Sequence, residues 1–444
     1  MKKTITLALI ALCFTAFGQD NNPDREIYLR PSYWRPYDKR GINVFETNKT
    51  PDSIPFDGLR FRIGAGFTQQ FQSLKHETKS TQPLYSMGAG FDLAMANLFI
   101  DVQLADGIRL NLTNYLSTRH HNETWVKGGY IQFDKLPFKG QFWNSLMNVV
   151  TVKIGHMEVN YGDQHFRRSD AGHTLYNPFI ENYIADAFST EIGAEIYAQK
   201  NGLFGMVGVT NGTINSSINT QTPDISGDST KNPAIYFKAG IDKSISPRLR
   251  GRLSASAYFN NKSQRNVLYA GDRGGSNYWG VLEPKGASLT TNFTSGRFAP
   301  NFTRNVHAYM FNGFLKAGGL ELFGTYETSS GNAETALDPD KRTMNQVAVE
   351  GVYRFGPKEN VFLGARYNTL NAELPAYTNK VDINRTAIAA GWFLTRNVLL
   401  KGEWVTQKYK DFAPTLIGTS TPTAPDPRYG GKFHGYVVEA VVGF

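Results

Sequence analysis

The middle of the chain carries a concentrated set of polar and aromatic residues between Tyr161 and Ser189, a stretch that neither alternates in polarity nor is low in complexity. It contains the adjacent pair Arg167 and Arg168 together with several carboxylates. Arginine presents a planar fork of donors that suits carboxylate and phosphate groups, so this pair could attract or hold an anion. Loops of this length in a compact domain are usually functional or disordered, and the aromatic content argues against disorder. We therefore expect an ordered, functional loop.

Other basic residues recur singly and alternate with apolar ones. From Leu59 onward, for example, Phe61 and Ile63 alternate with Arg60 and Arg62, which places the two sets on opposite faces of a strand. With the apolar set against lipid, the other face collects the candidate anion-attracting residues Arg60, Arg62, Arg109, Lys153, Lys238, Arg250, Arg252, Arg366, Arg385 and Lys401. The same face carries fewer acids, namely Asp242, Glu321, Glu327, Glu350, Glu403 and Glu439. Arg167 and Arg168 would add to this lining, so we expect it to be net positive.

The alternation recurs in sixteen segments, each long enough for the roughly 9 to 11 residues with which a tilted strand crosses a bilayer. They are 59–72, 84–104, 108–118, 124–134, 149–159, 190–199, 203–211, 233–244, 248–260, 302–316, 319–329, 343–355, 360–370, 383–394, 397–409 and 432–444. Short connections such as Asp106-Gly107 and Asn201-Gly202 largely alternate with long polar ones, as in outer-membrane barrels. The connection 135–148 is an exception and predicts a short helix over Phe142–Met147. The pattern predicts an all-β fold, a closed antiparallel 16-stranded transmembrane β-barrel with an infolded third external loop and periplasmic termini.

The N-terminus has the order of a secretory signal peptide, with Lys2 and Lys3 before an apolar run that ends near Phe17. The run is shorter than the roughly 20 residues of a spanning helix, so we expect Sec-type export and cleavage before Gln19 rather than an uncleaved anchor. The only cysteine, Cys13, lies inside this signal. The expected organisation is a signal peptide over 1–18, an irregular, proline-rich periplasmic lead-in over 19–57, and a barrel over 58–444 with the loop 160–189 as its constriction.

The formal net charge of +9 is spread along the chain and not gathered in one basic patch, so nucleic acid is not an expected partner. Expected partners are outer-membrane lipids and small anionic solutes. Aromatics near strand ends would suit the interfacial girdles: Tyr326, Tyr353, Phe355, Tyr367, Trp392, Trp404 and Tyr436. The terminal strand, with Tyr436, Val438, Val442 and Phe444 on one face, resembles the recognition signal of the barrel assembly machinery, which is therefore a further expected partner.

Catalytic and metal chemistry find little support. No Gly-x-Ser-x-Gly elbow is present, so no catalytic residue is predicted. His120 and His121 are adjacent, and His156, His165 and His173 lack the spacing of a zinc site. We expect no enzyme activity, no cofactor and no metal, although carboxylate pairs that act together only in space leave an outer-membrane barrel enzyme as an alternative.

Three stretches carry a family resemblance: GHMEVNYGDQHFRRSD over 155–170, YNPF over 176–179 and AFSTEIGAE over 187–195. They are similar to porins related to the phosphate-selective porin O and P family. The resemblance implies a sixteen-stranded barrel, usually trimeric, with the third external loop folded inward. The loop here lacks the dense arginine ladder and lysine cluster of phosphate-specific members, so phosphate specificity is not implied.

The expected function is an outer-membrane porin of a Gram-negative cell, with a water-filled, anion-preferring channel for small solutes such as phosphate or organic anions. Sixteen strands leave an aqueous channel, and rings of Arg and Lys are a known device of anion pores. A general diffusion porin without selectivity and a structural or adhesive barrel fit the same sequence, because these charges could serve only to keep the lumen wet and paired with acids.

Overall fold

The computed structural model describes residues 34–46, 49, 55–92, 94–117, 123–214, 223, 225–263, 265–288, 294–421 and 423–444. The expected signal peptide with Cys13, and the pair His120 and His121, lie outside these ranges. No helix among the described residues is both long enough and apolar enough to cross a membrane.

The described chain is dominated by one antiparallel sheet. Its segments are β1 (Arg60–Glu77), β2 (Gly90–Phe91), β3 (Met95–Ala105), β4 (Ile108–Leu116), β5 (Trp125–Phe133), β6 (Val150–Glu158), β7 (Thr190–Lys200), β8 (Leu203–Thr210), β9 (Ala234–Ser246), β10 (Leu249–Asn260), β11 (Asn305–Ala317), β12 (Leu320–Asn332), β13 (Arg342–Phe355), β14 (Val361–Ala372), β15 (Val381–Phe393), β16 (Val398–Lys410) and β17 (Lys432–Gly443). Because β2 and β3 both pair with β1 and count as one wall strand, the barrel has 16 strands.

The sheet closes on itself through β1 and β17, with Gly66 opposite Gly443 and Glu77 opposite Lys432. All other neighbours in the wall are antiparallel and follow chain order. Closure removes the unpaired edges that an open sheet would expose. The predicted closed antiparallel 16-stranded barrel is confirmed, and the sixteen predicted segments correspond to the wall strands with shifts at their ends. The largest shift is at the start of the second segment, predicted from residue 84, where β2 begins at Gly90 and β3 at Met95. The next is in β1, which continues past residue 72 because β17 pairs with it as far as Glu77.

The two faces of the wall differ as the alternation predicts. Phe61 and Ile63 are 60% and 64% exposed on the outer face, whereas inward-facing Glu403 and Glu439 are 2% and 0% exposed. A band of exposed apolar side chains around a closed sheet is the surface that hydrocarbon requires. Most of the predicted girdle and C-terminal aromatics lie on this outer face with large exposed fractions, namely Tyr326, Tyr353, Phe355, Tyr367, Tyr436 and Phe444.

The short connections follow the local chemistry of their residues. At Asn201-Gly202 both residues have positive φ angles, of 54° and 82°, as a tight hairpin turn with the right twist requires. The connection between β5 and β6 contains the expected helix, α1 (Gln141–Met147). A 3₁₀ turn over Lys39–Gly41 lies near the short-turn end, where the Lys39 amide donates to the carbonyl of Arg396 at 2.9 Å.

Candidate functional site

The segment 160–189 is buried along nearly its whole length and packs against polar, inward-facing side chains of the wall. The backbone amide of Ile180 donates to Glu403 at 3.0 Å, and that of Ile184 donates to Asn368 at 2.7 Å. The acceptors for such amides come from strands spread around the barrel: Asn97 of β3, Ser256 of β10, Gln346 of β13, Asn368 of β14 and Glu403 of β16. A segment with little regular structure must satisfy its buried amides in this way.

The lead-in residues 34–46 contact the same inward face. The Tyr37 hydroxyl donates to Asp101 at 2.9 Å, and the Asn43 amide group donates to Glu321 at 2.6 Å. Glu46 forms an ion pair with Lys238 at 2.8 Å. Phe45 packs edge-on against Phe314, with ring centroids 5.5 Å apart. The lead-in therefore meets wall strands on both sides of the barrel.

Arg167 and Arg168 point in different directions although they are adjacent. The Arg167 guanidinium lies 3.5 Å from Glu321 and 3.6 Å from Glu350, on β12 and β13. Arg168 pairs with Asp186, lies 3.6 Å from Asp272 and stacks over the ring of Phe188 at 3.7 Å. The structure thus does not bring the two arginines together at one point.

Most of the other predicted anion-attracting residues form ion pairs. The pairs are Arg60 with Asp57, Arg62 with Asp101, Lys238 with Asp163 and Glu46, Arg250 with Asp242, Arg252 with Asp163 and Glu46, Arg366 with Glu350, and Lys401 with Glu439. Several of these carboxylates lie on the lead-in or the segment 160–189 and not on the wall strands, so alternation along the strands could not reveal them. Arg385 donates to Gln407 at 2.5 Å and to the carbonyl of Gly296 at 2.9 Å.

The inward face of β12–β17, called here the filled side, binds the backbone of the segment 160–189 through basic side chains. The Lys401 ammonium donates to the carbonyls of Thr174, Asn177 and Phe179 at 3.0, 2.8 and 2.9 Å. Arg366 similarly donates to the carbonyl of Glu181 at 2.6 Å. On this side the predicted bases fix the infilling segment.

The inward face of β3–β7, called here the open side, borders a cavity of about 240 Å³. It extends from Lys153 and Tyr197, near the short-turn ends, to Lys127 and Thr190, near the long-loop ends. At roughly 3.3 Å per strand residue, the stretch of β7 along this cavity is about 23 Å long. The cavity thus extends along most of the length of β7, and it is called here the passage.

Lys127 lies at the narrow end of this passage. That end is on the long-loop side of the barrel and is called here the upper end, and the short-turn end is called the lower end. A second cavity of about 20 Å³ shares Lys127, Phe188 and Thr190 with the first and is also lined by Arg273 of the long loop 261–304. That volume is little more than one water molecule requires. The Lys127 ammonium lies 5.3 Å from the Phe188 ring centre and pairs with Asp170 and, at 3.4 Å, with Asp272.

Strand alternation alone misplaces Lys127 because of a β-bulge. Thr113 lies opposite Gly128, but the next residue, Asn114, lies opposite Val126, so Lys127 is the extra residue of β5. A bulge of this kind reverses the parity of the strand beyond it. Strict alternation from Tyr130 would place Lys127 outside, whereas its side chain is buried inside. The adjacent glycines at 128 and 129 were the only local signal of an irregularity.

The histidines of the segment 160–189 act as hydrogen-bonding residues. His173 lies 2.9 Å from the carbonyl of Tyr37, and burial lowers the pKa of His173 to about 4, so the ring is neutral at neutral pH. His165 contacts Glu158 and lies 2.9 Å from Asn160. Within the described ranges, no group of three or more His, Cys, Asp or Glu side chains is arranged to hold a metal ion.

No family model and no curated protein matches the chain. Among solved structures, the anion-selective porin from Comamonas acidovorans superposes with a TM-score of 0.53 at 9% identity, over 87% of this chain and 100% of that one. The outer membrane channel DcaP of Acinetobacter baumannii gives a TM-score of 0.51 at 11% identity, over 87% and 98% of the two chains. The superpositions show a common fold, but at identities this low they show nothing further. The resemblance to phosphate-selective porins therefore stays a prediction. The chain has the 16-stranded barrel fold that is also found in these outer-membrane porins.

Proposed function

We propose that this protein is an outer-membrane porin that admits small solutes, and preferentially anions, through the passage on the open side. The observation that carries the proposal is the position of Lys153 on the passage. Its ammonium faces the passage between the rings of Tyr130 and Tyr197, and it forms no ion pair with a carboxylate of the described residues.

The acids that line the passage leave a positive balance. Asp101 is paired with Arg62, and Asp170 with Lys127. Glu158 is bound to His165, and Glu46 is paired with Lys238 and Arg252. A narrow aqueous path between low-dielectric walls focuses the field of the remaining positive charge, so anions should be concentrated in it.

In this proposal the segment 160–189 is the infolded third external loop and acts as the constriction. The segment lies against the filled side. Residues 34–46 of the lead-in 19–57 narrow the lumen further from the short-turn end. After export, the signal peptide 1–18 would be removed. The assembly machinery would then recognise the terminal strand and insert the barrel 58–444 into the outer membrane. The recognition residues would be Tyr436, Val438, Val442 and Phe444. The assembly would be a homotrimer, as the resemblance to the phosphate-selective porin family implies.

The proposal is tested by conductance in planar bilayers under a potassium chloride gradient. Purified protein should form channels whose reversal potential shows chloride passing faster than potassium. A reversal potential of the opposite sign would reject anion preference, and one near zero would favour general diffusion.

A structural or plugged barrel is the second candidate, and it is favoured by one observation: the extensive hydrogen bonding between the segment 160–189 and the filled side. Open channels at any voltage would exclude it. Absence of conductance in protein that shows a folded barrel by circular dichroism would favour it over a porin.

A further inference from the structure

Lys153 lies in an unusual electrostatic position at the lower end of the passage. Its ammonium is 5.4 Å from the ring centre of Tyr130 and 4.9 Å from that of Tyr197. Its two cross-strand neighbours are Gln132 and Glu195. The contacts with aromatic faces stabilise the cation but carry no negative charge.

The acidic neighbour of Lys153 is occupied elsewhere. Glu195 accepts hydrogen bonds from the hydroxyls of Tyr197 and Tyr236 at 2.6 and 2.8 Å. Gln132 in turn accepts from Arg109 at 2.8 Å and donates to Asp134 at 2.6 Å. Glu195 and Gln132 are therefore hydrogen-bonded to groups other than Lys153, and the carboxylate of Glu195 forms no ion pair with the Lys153 ammonium.

A second cation shares the Tyr130 ring. The Arg109 guanidinium lies 5.9 Å from the Tyr130 ring centre and donates to the Tyr130 hydroxyl at 3.2 Å. Other aromatic side chains also line the passage, among them Phe99, Phe166 and Tyr176. Positive charge and aromatic faces thus occur together at one place, which fits a ligand that has both a negative group and a flat apolar body.

We infer that this place is a binding site for a small aromatic monocarboxylate. The carboxylate would contact the Lys153 ammonium, and the ring would lie against the tyrosine faces, where offset or edge-on aromatic contacts are favourable. The cavity is smaller than the roughly 300–1,000 Å³ of pockets for drug-sized ligands, so the ligand has a single ring. Inorganic phosphate satisfies the charge but not the aromatic faces and should bind more weakly. The inference deepens the proposed function, on which it rests for access of the ligand.

The test is calorimetric titration of the detergent-solubilised full-length protein with benzoate, with cyclohexanecarboxylate and phosphate as comparison ligands. Benzoate should bind at least about three times more tightly than either. Lys153→Met should weaken benzoate binding about tenfold or more, and Lys153→Arg should retain most of it. Lys408→Met removes the same charge from an exposed site on β16 and should leave binding unchanged. Equal binding by Lys153→Met and the unaltered protein, or tighter binding of phosphate than of benzoate, would overturn the inference.

A parallel bilayer measurement separates this inference from the proposed function. Benzoate should reduce the chloride current of the unaltered protein at concentrations near its dissociation constant. Anion-preferring channels without benzoate binding would reject the inferred carboxylate site and leave the proposed porin function standing. Benzoate binding without any ion current would reject the porin and keep the site. Heat-modified migration on denaturing gels confirms that each variant forms the barrel.

Discussion

The open and filled sides of the barrel interior carry the same types of basic residue, but these residues have different surroundings on the two sides. On the filled side, Lys401 is surrounded by three backbone carbonyls and Glu439. On the open side, Lys153 has two tyrosine rings and a water-accessible cavity. A buried base is a structural residue when acceptors surround it, and it is a candidate ligand-binding residue when space remains in front of it. The type of side chain does not distinguish the two cases.

The pair Arg167 and Arg168 repeats this comparison within two consecutive residues. Arg167 lies against Glu321 and Glu350 on the filled side, whereas Arg168 borders the cavity of the open side. If the two sides have the roles proposed, substitutions should separate stability from ion selectivity.

The largest expected effect is on stability and follows from Lys401→Met. The substitution leaves the buried Glu439 and three loop carbonyls without a cation, and breaking a buried ion pair typically costs about 3–5 kcal/mol. We expect a lower unfolding midpoint in urea, measured in detergent by tryptophan fluorescence. Lys408→Met on the same strand is the control and should change the midpoint little. An unchanged midpoint for Lys401→Met would contradict the structural role of the filled side.

The next effect is on selectivity and follows from Lys153→Glu. Replacing this cation, which forms no ion pair, by an anion lowers the net charge of the passage lining by two, so the reversal potential should move toward potassium preference by a several-fold change in permeability ratio. Lys243→Glu, on the exposed surface of β9, makes the same change of charge and should leave the ratio nearly unchanged. If both variants behave alike, solutes do not pass along β3–β7.

A smaller and more discriminating effect is expected from the adjacent arginines. Arg168→Gln should lower anion preference about twofold because it removes positive charge beside Phe188 at the upper end of the passage, and it should also lower the urea midpoint because Asp186 loses its buried partner. Arg167→Gln should lower the urea midpoint and leave the reversal potential close to that of the unaltered protein. Equal shifts of reversal potential for the two variants would show that both face the ion path.

The smallest expected effect is a pH dependence of selectivity. Burial raises the pKa of Asp170 to about 6, against the opposing influence of Lys127 and with support from Asp272. As the pH falls from 7 to 5, Asp170 takes up a proton and the narrow upper end becomes more positive. Anion preference should therefore rise modestly over this range and should lose that dependence in Asp170→Asn. A preference that falls with decreasing pH would contradict the sign of this effect.

The wall was predictable because its determinants are local. Alternation from Leu59 to Phe67 defines β1, and the pair Asn201-Gly202 defines a hairpin, without knowledge of distant residues. The interior was less predictable. The bulge at Lys127 changed which face that residue occupies, and the partners of Arg167 come from β12 and β13, far away in the sequence.

The sequence by itself determined a closed sheet with an apolar outer surface and a polar inner one, since a period of two residues and short turns specify strands and their faces. Only the tertiary structure decided which inward charges are compensated. Compensation depends on distances of a few ångströms between side chains brought together across the barrel, such as Lys238 with Asp163 at 2.7 Å, and no pattern along the chain encodes those distances.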